Sequence, residues 1–181
     1  MIRRLILALA LCAASFGALA QSLTPAQVAT LRTLVLAEPT LASARQSGDD
    51  TAIAAWLNAP SSPSYIVWRT SVTKEQIQAS ASFDWTRVDN LSVGKARIWD
   101  QMFYGGSINP SQANYRAGID ATWVGTQADL NVRSAVYAVC KRTATRAEKA
   151  LATGTGSDAS PATMGFEGMI SAADVAAARN S

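Results

Sequence analysis

The chemistry open to this chain is bounded first by an omission: none of its 181 residues is histidine. That removes the commonest general base, the Ser-His and Cys-His nucleophile pairs, and most zinc sites. Acid–base work would then fall to paired carboxylates. Asp49-Asp50 reads as a helix start, where the helix dipole favours acids, and Asp84, Asp89 and Asp100 share no spacing that predicts a common cleft. Of the two cysteines, Cys12 falls in the N-terminal leader described below, which leaves Cys140. A single cysteine makes no internal disulfide and no CxxC pair, and Cys140 follows a valine stripe as a buried small hydrophobe would. These residues predict no catalytic, metal-binding or cofactor-binding set, and hence no enzyme.

Anion binding is the next chemistry to weigh. Gly94-Lys95 looks like the end of a phosphate loop, but Asp89 stands where the first glycine belongs and Ala96 where Ser or Thr belongs. Lys95 instead reads as a helix residue with its stem over Leu91 and its ammonium in water. Thr153-Gly154-Thr155-Gly156 could cradle an anion on backbone N–H groups, or simply end a helix. The densest basic run is Lys141, Arg142, Arg146 and Lys149. It could suit an acidic partner or a phosphate, but reads first as the cation placement expected at a helix end. No aromatic residue interleaves with it, so stacking on bases is unsupported.

Five tryptophans are plentiful for this length. Trp56, Trp99 and Trp123 fall on helical stripes and read as core. Trp68 and Trp85 lie in less regular segments and are the better interface candidates, because tryptophan is enriched among binding hot spots. With Arg142 and Arg146, and with Met164 and Phe166 near the C-terminus, they form the candidate interface set.

The elements that must position these residues are helices. Thr24-Pro25-Ala26-Gln27, Thr73-Lys74-Glu75-Gln76 and Thr145-Arg146-Ala147-Glu148 share capping-box spacing, while Thr126 to Asp129 and Ser171 to Asp174 are weaker versions. Asn109-Pro110-Ser111-Gln112 reads as a further start. Apolar stripes agree: Val28, Leu31 and Val35; Leu91, Ile98, Trp99 and Met102; Tyr115, Ile119 and Trp123; Val132, Val136, Val139 and Cys140. About seven helices are expected. Between Ala59 and Tyr65 two prolines and three serines make a loop, and Tyr65-Ile66-Val67-Trp68 after it is β-prone. From Gly154 to Met169 the chain is rich in Gly, Ser and Thr, predicting an extended or hairpin-like arm before a last helix over Ser171–Arg179.

The expected architecture is therefore mainly α: a small single-domain helical bundle over residues 21–153, with a short β element, and an arm with a terminal helix over 154–181. Residues 1–20 form a separate leader. Met1-Ile2-Arg3-Arg4 is basic, the run Leu5 to Leu19 is uncharged, and Ala18-Leu19-Ala20 is a cleavage site before Gln21, the three parts of a secretory signal in order. Its apolar run is short for a membrane span. The formal charge of +3 includes Arg3 and Arg4, so the remainder is nearly neutral and carries no broad footprint for nucleic acid.

Three strings resemble a family of small proteins encoded in the virion-structure gene modules of tailed bacteriophages and prophages. They are Tyr65-Ile-Val-Trp-Arg-Thr-Ser-Val-Thr73, Asp89-Asn-Leu-Ser-Val-Gly-Lys-Ala-Arg-Ile-Trp99 and Ala152-Thr-Gly-Thr-Gly-Ser-Asp-Ala-Ser-Pro-Ala-Thr-Met-Gly-Phe-Glu-Gly168, the last preceded by Arg142 and Arg146-Ala-Glu-Lys149. The likeness runs from about Leu23 to the C-terminus. It implies a non-enzymatic head–tail or tail-assembly protein whose partners are other virion-module proteins or further copies of itself, with the Gly154–Met169 arm as the docking element. Members of that family begin near the Leu23-Thr24-Pro25 position. The leader is thus either an upstream mis-start, with the protein in the cytoplasm and the virion, or an acquired signal. In the second case the protein is an exported, periplasmic helical binding protein with Trp68 or Trp85 in an aromatic pocket.

Overall fold

A computed structural model describes residues 22–180, so the leader lies outside the described residues. Ten α-helices, one 3₁₀ turn and two two-stranded sheets follow, which makes the chain mainly α as expected, with more and shorter helices than the stripes alone implied. In order they are α1 (Pro25–Ala37), the 3₁₀ turn Pro39–Leu41, α2 (Ala42–Ser47), α3 (Asp50–Asn58), β1 (Ile66–Trp68), β2 (Val72–Thr73), α4 (Lys74–Gln78), α5 (Thr86–Asp89) and α6 (Val93–Met102). β3 (Ser107–Ile108), α7 (Ala113–Thr122), α8 (Gln127–Cys140), β4 (Lys141–Thr143), α9 (Arg146–Leu151) and α10 (Ala172–Arg179) complete it.

Seven of the ten described helices start where a side chain satisfies a free backbone N–H group. Thr24, Thr73, Thr126, Thr145 and Ser171 each form a complete reciprocal capping box, so the two weaker sequence signals are as well made as the strong ones. Asp49 caps α3 by accepting from the Ala52 N–H. The start expected at Asn109-Pro110 comes three residues late. Asn109 Oδ1 accepts from the backbone N–H and hydroxyl of Ser111, making a turn, and α7 begins only at Ala113.

Burial divides into two main cores. Around α4, α6, α7 and α8, Phe83, Trp99 and Trp123 pack ring against ring, with Trp99 and Trp123 centroids 5.3 Å apart at 77°. Both indole N–H groups are buried without a hydrogen-bond partner among the described residues, so ring packing holds this cluster. α6 and α7 approach closely because Gly118 faces Met102, where a β-carbon would collide with Sδ. The second core is aliphatic: Leu31 of α1, Ile53 and Leu57 of α3, Ala147 of α9, and Phe166, Ile170 and Val175 from the C-terminal region. Ile98 departs from the stripe pattern and is exposed on the outer side of α6, while Trp56 is half-buried and packs against the second core.

A β-ribbon joins the two cores. The β-prone run forms β1, which pairs antiparallel with β4 in the register Ile66 to Thr143, Val67 to Arg142 and Trp68 to Lys141. A second small pairing joins β2 and β3, Val72 opposite Ile108. The C-terminal arm doubles back as a hairpin-like excursion, with Thr153 and Thr163 exchanging two backbone hydrogen bonds of 2.9 Å. It then lies along the free edge of β1, where the Ala162 N–H donates to the Ile66 carbonyl and the Trp68 N–H to the Ala162 carbonyl.

The arm is therefore consumed by its own fold and is not a free docking element. Phe166, expected at an interface, is buried in the second core because its ring is the largest apolar group the arm offers to the space between α1, α3 and α10. Phe166→Ala is expected to cost about 3–5 kcal/mol in urea unfolding. A chain ending at Ala152 should lose its cooperative transition; a truncated chain that keeps it would contradict this packing.

Candidate functional site

Because side chains alternate across a strand, the β1–β4 ribbon offers two different faces. Trp68 and Lys141 point one way, into a cleft of about 690 Å³ between the ribbon, α7, α8 and the arm around Asp158–Pro161. Val67 and Arg142 serve the other side, against α9 and the rest of the arm.

The cleft has an aromatic floor and ionic walls. The Trp68 and Tyr137 rings lie 5.6 Å apart, tilted by 56°. The Arg116 guanidinium stands over Trp68 at 5.2 Å, a cation–π contact. It is held there by donating to the carbonyls of Pro110 and Ser111 at 2.7 and 2.8 Å. The Tyr137 hydroxyl lies 3.0 Å from Asp120 Oδ1 and 3.2 Å from the Arg116 carbonyl. Burial first, and then the Asp120 carboxylate, raise the Tyr137 pKa, so the phenol stays a neutral donor. Arg133 lies 3.6 Å from Asp120, and Lys141 reaches Asp158 at 3.0 Å. This arrangement can bind through ring stacking and paired donors and acceptors. The Cys140 thiol, at the end of α8, is buried and pushed up to about 12 by desolvation.

On the other face lies a structural ion cluster. Arg142 donates to both oxygens of Glu148 at 2.7 Å, and further to Glu167 at 3.2 Å and Met164 Sδ at 3.3 Å. Glu167 also accepts from the Thr70 hydroxyl. Burial works to raise the Glu148 pKa, but the Arg142 hydrogen bonds and the Thr145 N–H outweigh it, leaving the carboxyl below its ordinary value. Asp129 is likewise held at about 2 by the Thr126 N–H and by Arg87.

The expected interface residues are thus dispersed. Arg142 and Met164 belong to the internal cluster. Arg146 sits 4.6 Å over the Trp56 ring and donates to the Trp56 carbonyl, and Lys149 faces Tyr65 at 5.7 Å. The basic run is no single patch, because strand β4 throws neighbouring cations to opposite faces. Lys95 donates to the Val124 carbonyl and does not hang free. Trp68 lies in the cleft. Trp85 remains outside, 56% exposed, its ring 5.6 Å from Phe83. Among the described residues no three His, Cys, Asp or Glu side chains form a metal-holding group.

The cleft's Arg116, Asp120, Arg133 and Tyr137 escape a search for motifs. Their one linear trace is that Arg116 and Asp120, and Arg133 and Tyr137, are each four apart on a helix. No known protein family, characterised protein or solved structure matches the chain.

The ion cluster makes a pH prediction. A carboxyl whose folded pKa is depressed contributes stability above its unfolded pKa and loses it as pH falls through the folded value. Arg142→Ala strands Glu148 as a buried anion and is expected to cost about 3–5 kcal/mol near neutrality. The deficit relative to the parent chain should narrow as the pH is lowered from about 6 to about 3, because protonation relieves the variant first. Guanidinium titrations at several pH values measure it, and a deficit independent of pH would count against the cluster.

Proposed function

We propose that this chain is a non-enzymatic protein of a tailed-phage or prophage virion module, working at the head–tail joint or in tail assembly through protein–protein contacts. The likeness of three strings to that family motivates the reading. The observation that carries it is the outer surface around the aromatic core. Val93 and Tyr104, at the start and just past the end of α6, are 77% and 88% exposed, and Trp85 and Ile98 are exposed in the same stretch of chain. A shallow groove runs along α6 between Leu91, Val93, Arg97 and Tyr104. Large apolar and aromatic groups gathered on one segment, outside a well-packed core, are what an interface needs. Trp85 is well placed as an anchor, because Phe83 backs its ring and Trp99 backs Phe83.

The Trp68 cleft favours a second reading, an exported helical binding protein. The two readings separate at the N-terminus: a mature end at Gln21 in protein from its own host supports export, and a start near Leu23 supports the virion role.

The assembly reading is tested with Trp85→Ser and Tyr104→Ser together. Both side chains are exposed, so melting should shift little. Co-sedimentation with assembled particles or with module partners should fall at least tenfold, since anchor residues contribute about 2 kcal/mol or more. Undiminished co-sedimentation would remove this surface from the reading.

A further inference from the structure

Away from the cleft and the α6 surface, α1, α2, α3 and α10 enclose a pocket of about 480 Å³. Its wall is aliphatic, built from Leu31, Val35, Ile53, Leu57, Ile170 and Val175. This volume falls within the roughly 300–1,000 Å³ typical of small-molecule sites.

The mouth differs in character. Arg32, Arg45 and Arg179 stand around it with Asp174 as the acid among the lining residues. Arg179 is paired with Asp50 at 3.0 Å, and Asp174 is engaged by the Ser171 N–H and hydroxyl of its own capping box. Arg45 is positioned by its Nη1 group, which donates to the carbonyls of Val35 and Glu38 and leaves its Nη2 and Nε donors for a ligand. Arg32 has no ion pair or hydrogen bond among the described residues. The mouth therefore carries excess positive charge over an aliphatic interior, and one cation is free to turn to a ligand.

We infer that this pocket binds a free single-chain amphiphile with a carboxylate head, a medium-chain fatty acid. The aliphatic wall takes the chain, with no buried polar group asking for a partner inside. Arg32 and Arg45 meet the carboxylate at the mouth, where Arg–carboxylate geometry adds directional hydrogen bonds to charge. A neutral alcohol would gain only the first contribution, and a cationic amphiphile would meet repulsion.

Calorimetric titration of the full chain with octanoate, decanoate and dodecanoate, and with decanol and decyltrimethylammonium, tests this. Saturable one-to-one binding of the carboxylates is expected, tightening roughly fourfold per methylene until the pocket is full. Decanol should bind more weakly and the cation not at all. Arg32→Gln should weaken decanoate about tenfold and leave decanol unchanged. Ala42→Trp, placed on an exposed part of the pocket lining, should abolish both at unchanged helical content, so that lost binding is not lost folding. Absence of saturable decanoate binding overturns the assignment. So does equal affinity for decanoate and the cation, or decanoate binding that survives Ala42→Trp. Binding only to phosphatidylglycerol vesicles, with none to monomeric decanoate, overturns it as well.

Discussion

Three residues, Ile66 to Trp68, are hydrogen-bonded along both edges, and most of the molecule is arranged around that fact. On one edge β4 supplies an antiparallel partner directly after α8; on the other, the arm returns from residue 156 to residue 162. A central strand has no edge left for water or another chain to pair with. Val67 is fully buried in it, with Ala144 from one neighbour and Ala162 from the other. Because β4 joins α8 to α9, this strand fixes how the aromatic core built on α8 stands to the aliphatic core that α9 helps to close. The arm, once held at Ala162, delivers Phe166 and Ile170 to that second core.

The long-range polar contacts follow the same seam. Arg142, opposite Val67 in the ladder, gathers Glu148 and Glu167, so one guanidinium ties strand, helix and arm together. Asn58 and Ile170 exchange two hydrogen bonds of 2.8 Å, and Gln27 donates to the Gly165 carbonyl. Leaving the buried Glu148 of this set unpaired is costly, which makes the seam specific as well as stable. A segment of low sequence complexity becomes ordered because its backbone groups find partners and its few apolar residues find a core, offsetting the conformational entropy of its glycines.

What was legible in the sequence was whatever is decided within a few residues. Thr24 and Gln27, or Thr145 and Glu148, satisfy each other three residues apart, so the helix starts could be placed before any tertiary contact was known. The β-prone run and the return of the arm were legible for the same reason, from local propensity. At Asn109 the oxygen that could cap a helix instead closes a turn two residues long, and both uses favour Asn before Pro-Ser. The partners of Arg142 and Trp68 were not legible. Glu167 is 25 residues away, and the cleft draws on α7, α8, β1 and the arm together, a juxtaposition set by packing. Lys141 to Lys149, close in sequence, are spread in space because strand alternation and the α9 cap send them to different environments.

The same seam also takes up the chain's most tightly held ionisable groups. The acids held closest are committed to architecture: Glu148 to Arg142, and Asp129 to Arg87 and its own helix start. Hydrogen bonds hold both carboxyls below their ordinary values, so neither is poised to exchange a proton near neutrality, while Cys140 is poised in the opposite sense, as a thiol. Around these fixed groups the surfaces differ. The aromatic end exposes Trp85, Val93 and Tyr104, and the aliphatic end leaves a pocket with cations at its mouth. A seam between two unlike ends lets each surface be changed without disturbing the other, because contacts separated by a packed core contribute nearly additively.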